Sequence, residues 1–162
     1  MPELPEVETV RRGLQKILEG EVIEGVEVRD TRLRYPVDEK KLGRGLPGRR
    51  IKELRRRAKY LLILLEADGA REEACLISHL GMSGRVYFSK KEETAQPHTH
   101  VIFSLRGGRE LHFRDPRRFG LVDLVPLASL EDDRRFSSLG VEPLSDECSP
   151  EYFFDCSRKL RQ

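Results

Sequence analysis

A series of short strand-like segments, separated by turns, occupies residues 21–125 and constrains the fold of this chain most strongly. Residues 60–65 are apolar without interruption, as in a strand that is buried on both faces. Residues 100–105 and 109–114 flank two consecutive glycines, which is typical of a β-hairpin. Further strands are predicted at residues 21–29, 49–59, 75–80, 85–89 and 121–125. Short strands at this spacing favour an antiparallel sandwich or barrel.

One long helix precedes these strands. Its apolar positions recur at helical spacing, and they are Val7, Val10, Leu14, Ile17 and Leu18. Pro5 suits the first helical position, and Gly20 is placed to end the helix. A second, single helical turn is predicted from Asp38, as its cap, to Leu42. The predicted fold class is therefore α+β and mainly β, with a two-layer antiparallel β-sandwich flanked by the N-terminal helix over residues 1–126.

The character of the chain changes after residue 126. Residues 131–155 contain eight acidic residues and two basic ones, and residues 127–148 are predicted to be a linker. Ser149 and Pro150 have the order of a helix cap and a first helical residue. The helix they begin carries Tyr152, Phe153 and Leu160, and the chain stops at residue 162. Residues 149–162 are thus predicted to be the start of a helical domain that is cut short.

The charges are balanced overall but unevenly distributed. The net charge of the 162 residues is +2, yet residues 44–59 contain eight Lys or Arg and one acid, Glu53. This asymmetry predicts a cationic face in the middle of the chain. The three cysteines have no metal-ligand spacing and suit a reducing compartment, and no zinc site or other cofactor is expected. With no stretch of about 18 apolar residues and no signal peptide, the predicted location is the cytoplasm.

The amino terminus carries groups that are suited to covalent chemistry. If Met1 is removed, Pro2 presents a secondary amine close in sequence to the carboxyl groups of Glu3 and Glu6. Such amines have a pKa of roughly 7.7–8.0, so part of the population is a neutral nucleophile near neutral pH. Condensation with a sugar aldehyde would give a cationic iminium. The alternative is that these residues only begin the helix, and composition alone favours that alternative.

Four further residues are candidates for binding or proton transfer. Lys59 directly precedes the buried strand at residues 60–65, where it would bind a phosphate or, alternatively, be an ordinary surface lysine. Met82 lies between Gly81 and Gly84, as an exposed apolar finger or a core residue. His98 and His100 are spaced by one residue, which is only a weak metal-binding pattern.

Residues 115–120, with the sequence DPRRFG, form the most unusual stretch after the amino terminus. Arg117, Arg118 and Phe119 lie between a proline and a glycine, which predicts a stiff, exposed loop tip. An arginine and an aromatic ring at such a tip are suited to insertion into a stack of bases. In the alternative, Phe119 packs into the core.

Five motifs in order resemble the bacterial formamidopyrimidine-DNA glycosylases, in the wider family that includes endonuclease VIII. They are MPELPEVETVRRGL at residues 1–14, RAKYL at 57–61, HLGMSG at 79–84, DPRRFG at 115–120 and LGVEPLS at 139–145. The resemblance covers nearly the whole chain. Within this family, the chain resembles the branch that acts on oxidised purines rather than the endonuclease VIII branch, because of Leu4 and of the pair Met82 and Phe119.

The resemblance implies a bifunctional base-excision repair enzyme that removes 8-oxoguanine and formamidopyrimidines from double-stranded DNA. It implies that Pro2 forms a Schiff base with the sugar, followed by β- and δ-elimination. Glu3 would be the general acid, Glu6 a second active-site carboxylate and Lys59 a phosphate-binding lysine. The residues that would bind DNA, three of which fill the gap left by the flipped base, are Met82, His98, Arg117, Arg118 and Phe119.

The same resemblance implies that part of the family pattern is missing. Family members continue through a helix–two-turn–helix domain and a four-cysteine zinc finger, so this chain is expected to be a truncated, monomeric N-terminal catalytic domain without zinc. Two alternatives to an active enzyme stay open: a DNA-binding fragment with impaired catalysis, and a fragment that folds poorly because Tyr152 and its neighbours expose apolar surface.

Overall fold

A computed structural model of the chain describes residues 2–159, apart from the side chain of Lys159. The structure divides into two compact units, Met1–Leu130 and Glu131–Gln162. Met1, whose removal is the condition for a free Pro2 amine, and Leu160, which was predicted to belong to the last helix, lie outside the described residues.

The N-terminal helix α1 spans Leu4–Leu18, with Glu3 as its N-cap. The sequence pattern indicated Pro5 as the first helical residue, whereas in the structure the helix begins at Leu4 and Pro5 is the second residue. Val7, Leu14 and Leu18 are buried on one face, which is worth roughly 1.5–3 kcal/mol for each large side chain. Ile17, at the edge of that face, stays 38% exposed. The helix ends before Gly20, whose φ of +87° lies in the left-handed region.

Within residues 2–159, eight strands form two four-stranded antiparallel sheets. The bounds are β1 Ile23–Val28, β2 Ile51–Arg57, β3 Tyr60–Leu65, β4 Ala74–His79, β5 Arg85–Lys90, β6 Thr99–Leu105, β7 Arg109–Arg114 and β8 Leu121–Pro126. One sheet has the order β1-β6-β7-β5 and the other β2-β3-β4-β8. Every pair of neighbouring strands is antiparallel. The predicted mainly β sandwich with its long N-terminal helix is confirmed.

Three connections between strands determine the positions of the loops: two hairpins and one crossing from one sheet to the other. Gly107 and Gly108 connect β6 to β7 with φ values of +90° and +78°, as the paired glycines predicted. Arg57 pairs with Tyr60, so that Ala58 and Lys59 alone form the loop between β2 and β3. By contrast, β4 and β5 belong to different sheets, and residues 80–84 carry the chain from one sheet to the other.

The core lies between the two sheets and extends beneath α1, which packs on β2 and β3. Residues 61–65 of β3 are buried on both faces, in agreement with the uninterrupted apolar run. The largest fully buried side chains include Leu18, Ile51, Leu54, Leu76, Ile77 and Phe113. This packing places the N-terminal tip of α1 beside the β2–β3 loop.

A short helix, α2, spans Glu39–Gly45 and is longer than the single turn that the sequence indicated. Asp38 caps it as predicted, because its carboxylate accepts a hydrogen bond of 2.9 Å from the backbone N–H of Lys41. The helix continues past Leu42 because Leu46, one turn later, is also fully buried. A Cβ at Gly45 would lie 2.3 Å from Leu124 Cδ2, which shows how closely the helix approaches β8.

The second unit contains one described helix, α3, at Pro150–Lys159. It begins where the sequence indicated, and the hydroxyl of Ser149 accepts a hydrogen bond of 3.2 Å from the backbone N–H of Tyr152. Phe153 and Phe154 are 60% and 62% exposed. The assignments of residues 127–148 to a linker and 149–162 to a truncated helical domain stay predictions. Among the helices of the described residues, none has the length and apolar character needed to cross a membrane.

Candidate active site

An open pocket of about 580 Å³ lies at the N-terminal end of α1. Its walls come from three segments that are far apart in sequence, and the lining residues are Pro2, Glu6, Met82, Ser83, Gly84, Arg85, Arg114 and Pro116. The volume is in the range of pockets that hold small molecules. The fold therefore brings the amino terminus close to residues 82–85 and to Arg114 and Pro116.

The tip of α1 places two carboxylates and a cation within reach of one another. The backbone N–H of Glu3 donates a hydrogen bond of 3.0 Å to the Glu6 carboxylate. The carboxylate of Glu3 lies 2.5 Å from Nζ of Lys59, at the loop between β2 and β3. Both side chains of this ion pair are partly exposed, at 49% for Glu3 and 36% for Lys59. The pair is thus open to a ligand that enters from solvent.

Asp115 organises the 115–120 loop from inside the protein, where it is fully buried. One carboxylate oxygen accepts a hydrogen bond of 2.6 Å from the Ser83 hydroxyl, and the other accepts one of 2.7 Å from the backbone N–H of Gly120. The backbone N–H of Arg117 also points to this pair, 3.2 Å from Ser83 Oγ. Sequence reasoning assigned no role to Ser83 or Asp115.

Glycines allow the two segments to pack backbone against backbone. A Cβ at Gly81, whose φ is +62°, would lie 2.5 Å from the carbonyl carbon of Phe119. A Cβ at Gly120 would lie 2.7 Å from the ring of Phe113 and 2.9 Å from the carbonyl oxygen of His79. The glycines that flank Met82 and follow Phe119 were the signal in the sequence that could have revealed this contact.

Met82 and Phe119 lie at the surface, 40% and 46% exposed. The alternatives that place either side chain in the core are therefore wrong. The guanidinium carbon of Arg117 lies 5.3 Å from the centre of the Phe119 ring, within the range of a cation–π contact. The loop tip thus presents an apolar and a cationic group together, as the sequence indicated.

The two remaining predicted DNA contacts lie in different surroundings. His98 is exposed, and its carbonyl oxygen accepts a hydrogen bond of 3.0 Å from the backbone N–H of Asp115. Arg118 instead contacts the carboxylate of Asp30 at 2.6 Å and the carbonyl oxygen of Arg32 at 3.1 Å. Hydrogen bonds from Arg32 and then Arg118 hold the pKa of Asp30 well below its usual range. A DNA contact by Arg118 would have to compete with that carboxylate.

His79 joins the candidate site from the end of β4. Its Nδ1 accepts a hydrogen bond of 2.9 Å from the backbone N–H of Gly81, and its ring lies 4.8 Å from the Tyr60 ring. Burial, followed by the charges of Arg34 and Lys59, lowers the pKa of this imidazole. A neutral ring that accepts at Nδ1 carries its proton on Nε2, where it is a hydrogen-bond donor.

Only part of residues 44–59 contributes to the predicted cationic face. Arg49 is buried, with 5% of the residue exposed. The side chain of Arg56 is also buried, with 4% of it exposed. Lys52 contacts Glu73 at 2.6 Å and Arg55 contacts Glu53 at 2.8 Å, so acids compensate these charges. Alternation along β2 turns part of the run inward.

Among residues 2–159, no group of three or more His, Cys, Asp or Glu side chains could hold a metal ion. The described residues therefore do not fit the zinc site of the family. The absence of any cofactor stays a prediction.

Comparisons of the sequence with known proteins identify one family. The family model described as "Formamidopyrimidine-DNA glycosylase N-terminal domain" matches residues 1–122. Formamidopyrimidine-DNA glycosylase of Azorhizobium caulinodans is 45% identical over 164 residues, covering 94% of this chain and 54% of that protein. The protein of the same name from Pseudomonas paraeruginosa is 47% identical, with 98% and 55% covered. The chain thus spans about half the length of these curated relatives.

Solved structures give the same result. The Lactococcus lactis enzyme, non-covalently bound to DNA that contains an AP site, has a TM-score of 0.83 and 30% identity, covering 98% of this chain and 58% of that one. A complex of the same enzyme with DNA that contains an abasic site has a TM-score of 0.78, with 90% and 52% covered. The sequence and the fold together show that this chain belongs to the formamidopyrimidine-DNA glycosylase family and contains its N-terminal domain.

Proposed function

We propose that this chain acts in DNA base-excision repair as a bifunctional glycosylase and AP lyase on oxidised purines, including 8-oxoguanine and formamidopyrimidines. The single observation that carries the proposal is the position of Pro2. It lines the same pocket as Met82, one residue before a carboxylate that is 2.5 Å from Lys59. A nucleophile, a proton donor and a phosphate-binding cation therefore converge at one helix tip.

The first reaction replaces the base by the enzyme amine. With Met1 removed, the lone pair of the Pro2 nitrogen attacks C1′ of the damaged nucleotide. The bond from C1′ to the base breaks, and the base leaves with the bonding electrons and takes up a proton from water. The Glu3 carboxylate accepts the proton that the nitrogen loses. Glu3 then delivers this proton to the ring oxygen O4′ as the nitrogen lone pair expels that oxygen, which leaves an iminium between Pro2 and C1′.

The second reaction cleaves the strand. The positive iminium acidifies the proton on C2′, and its loss allows the C3′–O bond to break, so that the 3′ phosphate leaves with the bonding electrons. Loss of the C4′ proton then allows the 5′ phosphate to leave in the same way. Lys59 offsets the charge of a flanking phosphate. The Glu6 carboxylate accepts a hydrogen bond from the backbone N–H of Glu3 and thereby fixes the orientation of Glu3.

The loop tips would hold the DNA open while this occurs. Met82, Arg117 and Phe119 are placed to fill the gap that a flipped nucleotide leaves in the duplex, and His98 and Arg118 to contact the strands nearby. The partner is damaged double-stranded DNA, bound by a monomer. The relatives are bacterial, and we place the activity in the cytoplasm, where bacterial DNA lies.

Borohydride trapping on duplex DNA with one abasic site tests this function most directly. Borohydride reduces the iminium to a stable amine, so a covalent adduct reports attack by Pro2. We expect an adduct with protein whose Met1 has been removed, as verified by mass spectrometry. Pro2→Gly, which keeps a primary amine at the terminus, should trap partially.

Protein with Met1 retained and acetylated supplies the matched control, because its Pro2 nitrogen is part of a peptide bond and its terminus has no free amine. It should give no adduct. Equal trapping with Met1 acetylated would overturn the assignment of Pro2, and Lys59 would be the next nucleophile to test. No adduct in any form of the chain, with binding to DNA retained, would favour the alternative of a DNA-binding fragment.

A further inference from the structure

Arg56, near the end of β2, is a cation inside the protein, with only 4% of its side chain exposed. Its guanidinium joins two different elements. Nε donates to the carboxylate of Glu8 on α1 at 3.0 Å, and Nη1 donates to the carbonyl oxygen of Ala58 in the β2–β3 loop at 2.9 Å. One planar group therefore connects the helix that carries Pro2 to the loop that carries Lys59.

The loop needs such support because its backbone is in a disfavoured conformation. Ala58 has a φ of +51°, in the left-handed region that residues with a Cβ adopt at a cost. The loop has only two residues, so the conformation of Ala58 determines the direction of Lys59. A hydrogen bond to the Ala58 carbonyl oxygen holds that peptide in place.

Glu8 fixes the other side of the connection. Its carboxylate is 14% exposed and contacts Arg11 at 2.9 Å and Arg12 at 2.8 Å in addition to Arg56. The hydrogen bond from Arg11, followed by those from Arg12 and Arg56, outweighs the effect of burial and lowers the pKa of Glu8 to about 2. The carboxylate is therefore charged at every pH at which the enzyme would work.

These contacts close a ring. It runs from Glu3 along the first turns of α1 to Glu8, through Arg56 to Ala58 and Lys59, and back to Glu3 across the 2.5 Å ion pair. We propose that Glu8 and Arg56 are positioning residues, which set the Pro2 and Glu3 end of the helix against Lys59 without touching the DNA. The inference rests on the proposed function for its catalytic consequence, but the geometry of the ring can be tested alone.

The expected effect is on the rate of reaction rather than on DNA binding. A displacement of about 1 Å of a reacting group can cost about 10²-fold in rate. Arg56→Lys keeps the positive charge but loses the fork that reaches both partners. It should slow borohydride trapping on abasic DNA by about tenfold or more, while the Kd for the same duplex stays within about twofold. Glu8→Gln, nearly identical in shape, should slow trapping less.

Matched controls are available on exposed pairs. Arg106→Lys changes an arginine that is 68% exposed and lies 3.9 Å from Glu24. Glu53→Gln changes a partly exposed acid, with 40% of its side chain exposed, on the same strand as Arg56. Both should trap at the parent rate. Unchanged trapping in Arg56→Lys and Glu8→Gln, with the parent active, would overturn the positioning role.

A second readout does not depend on catalysis. Amine labelling with acetic anhydride, followed by mass spectrometry of each lysine, reports how firmly Lys59 is held against Glu3. Arg56→Lys and Glu8→Gln should raise the labelling rate of Lys59 several-fold relative to Lys52 in the same molecule. If the parent gives no adduct, the proposed function fails, but the labelling still tests the positioning role. A labelling rate of Lys59 that is the same in both variants as in the parent would contradict that role.

Discussion

The hydroxyl of Ser83 donates a 2.6 Å hydrogen bond to the buried carboxylate of Asp115 and so links the two loop tips that carry Met82 and Phe119. The same carboxylate accepts the backbone N–H of Gly120, 2.7 Å away, at the end of the loop. The side chain of Asp115 therefore holds the candidate wedge from inside the protein, and it also lies 3.3 Å from the backbone N–H of Arg117. This arrangement presents an exposed apolar pair on a rigid base, which is what insertion into a base stack requires.

Asp115→Asn should destabilise the first unit by about 1–3 kcal/mol, because an amide replaces one of the two acceptor oxygens and leaves a buried donor unsatisfied. Urea unfolding, followed by circular dichroism, measures this difference. Asp132→Asn, on an exposed side chain, should change the free energy of unfolding by less than about 0.5 kcal/mol. If both variants unfold alike, the carboxylate of Asp115 does not hold the loop.

The titration of His79 tests the electrostatics of the site. Its pKa should lie below the ordinary value of about 6.5, because burial and the charges of Arg34 and Lys59 disfavour the imidazolium. Removing either charge, in Arg34→Ala or Lys59→Ala, should raise the pKa, and Arg34→Ala should raise it more. Proton NMR of the imidazole measures each value. A pKa above the ordinary value in the parent would contradict the burial of His79 and the effect of the two neighbouring charges.

The sign of the corresponding stability effect follows from linkage. Because the folded pKa is lowered, the unfolded chain binds a proton first as the pH falls below about 6.5. His79 therefore reduces the free energy of unfolding progressively from that pH toward its folded pKa. His79→Gln should remove this part of the pH dependence.

Much of the fold could be predicted from the sequence because it is encoded locally. The apolar run Tyr60–Leu65 and the glycine pair before Arg109 determine β3 and the β6–β7 hairpin without any distant contact. Asp38 likewise marks the start of α2. The extension of α2 to Gly45 was missed because it depends on Leu46 and on the approach to Leu124, which are tertiary contacts.

The candidate site was only partly predictable for the same reason. A resemblance identified Pro2, Glu3 and Lys59, and the structure brings them to one end of α1. Arg56 looked in the sequence like any member of a basic run, since its burial depends on the acceptor that Glu8 supplies from another element. The link between Ser83 and Asp115 joins residues 32 positions apart and leaves no local pattern.

The dependence of DNA binding on salt tests whether Lys59 neutralises a phosphate. Each phosphate that a protein cation neutralises contributes about −0.9 to the slope of log K against log salt concentration. Lys59→Ala should therefore make the slope shallower by about 0.9. Lys52→Ala should leave it close to that of the parent, because this lysine lies near the start of β2, at the other end of the strand from Lys59, and contacts Glu73 at 2.6 Å. Fluorescence anisotropy with an abasic duplex at several salt concentrations gives both slopes; equal changes would contradict a specific phosphate contact of Lys59.

Glu3→Gln should separate base removal from strand cleavage. The glutamine keeps the size of the side chain but cannot supply a proton, and a positioned general acid contributes about 10²–10⁴-fold. The loss should fall mainly on single-turnover excision of an oxidised purine, where the sugar ring must open while the glycosidic bond breaks. An abasic site already presents an aldehyde to Pro2, so trapping and cleavage there should slow much less. Glu24→Gln, on an exposed acid of β1, should affect neither reaction. If Glu3→Gln slows both reactions by the same factor, Glu3 instead acts in a step that the two share, such as proton removal after the iminium has formed.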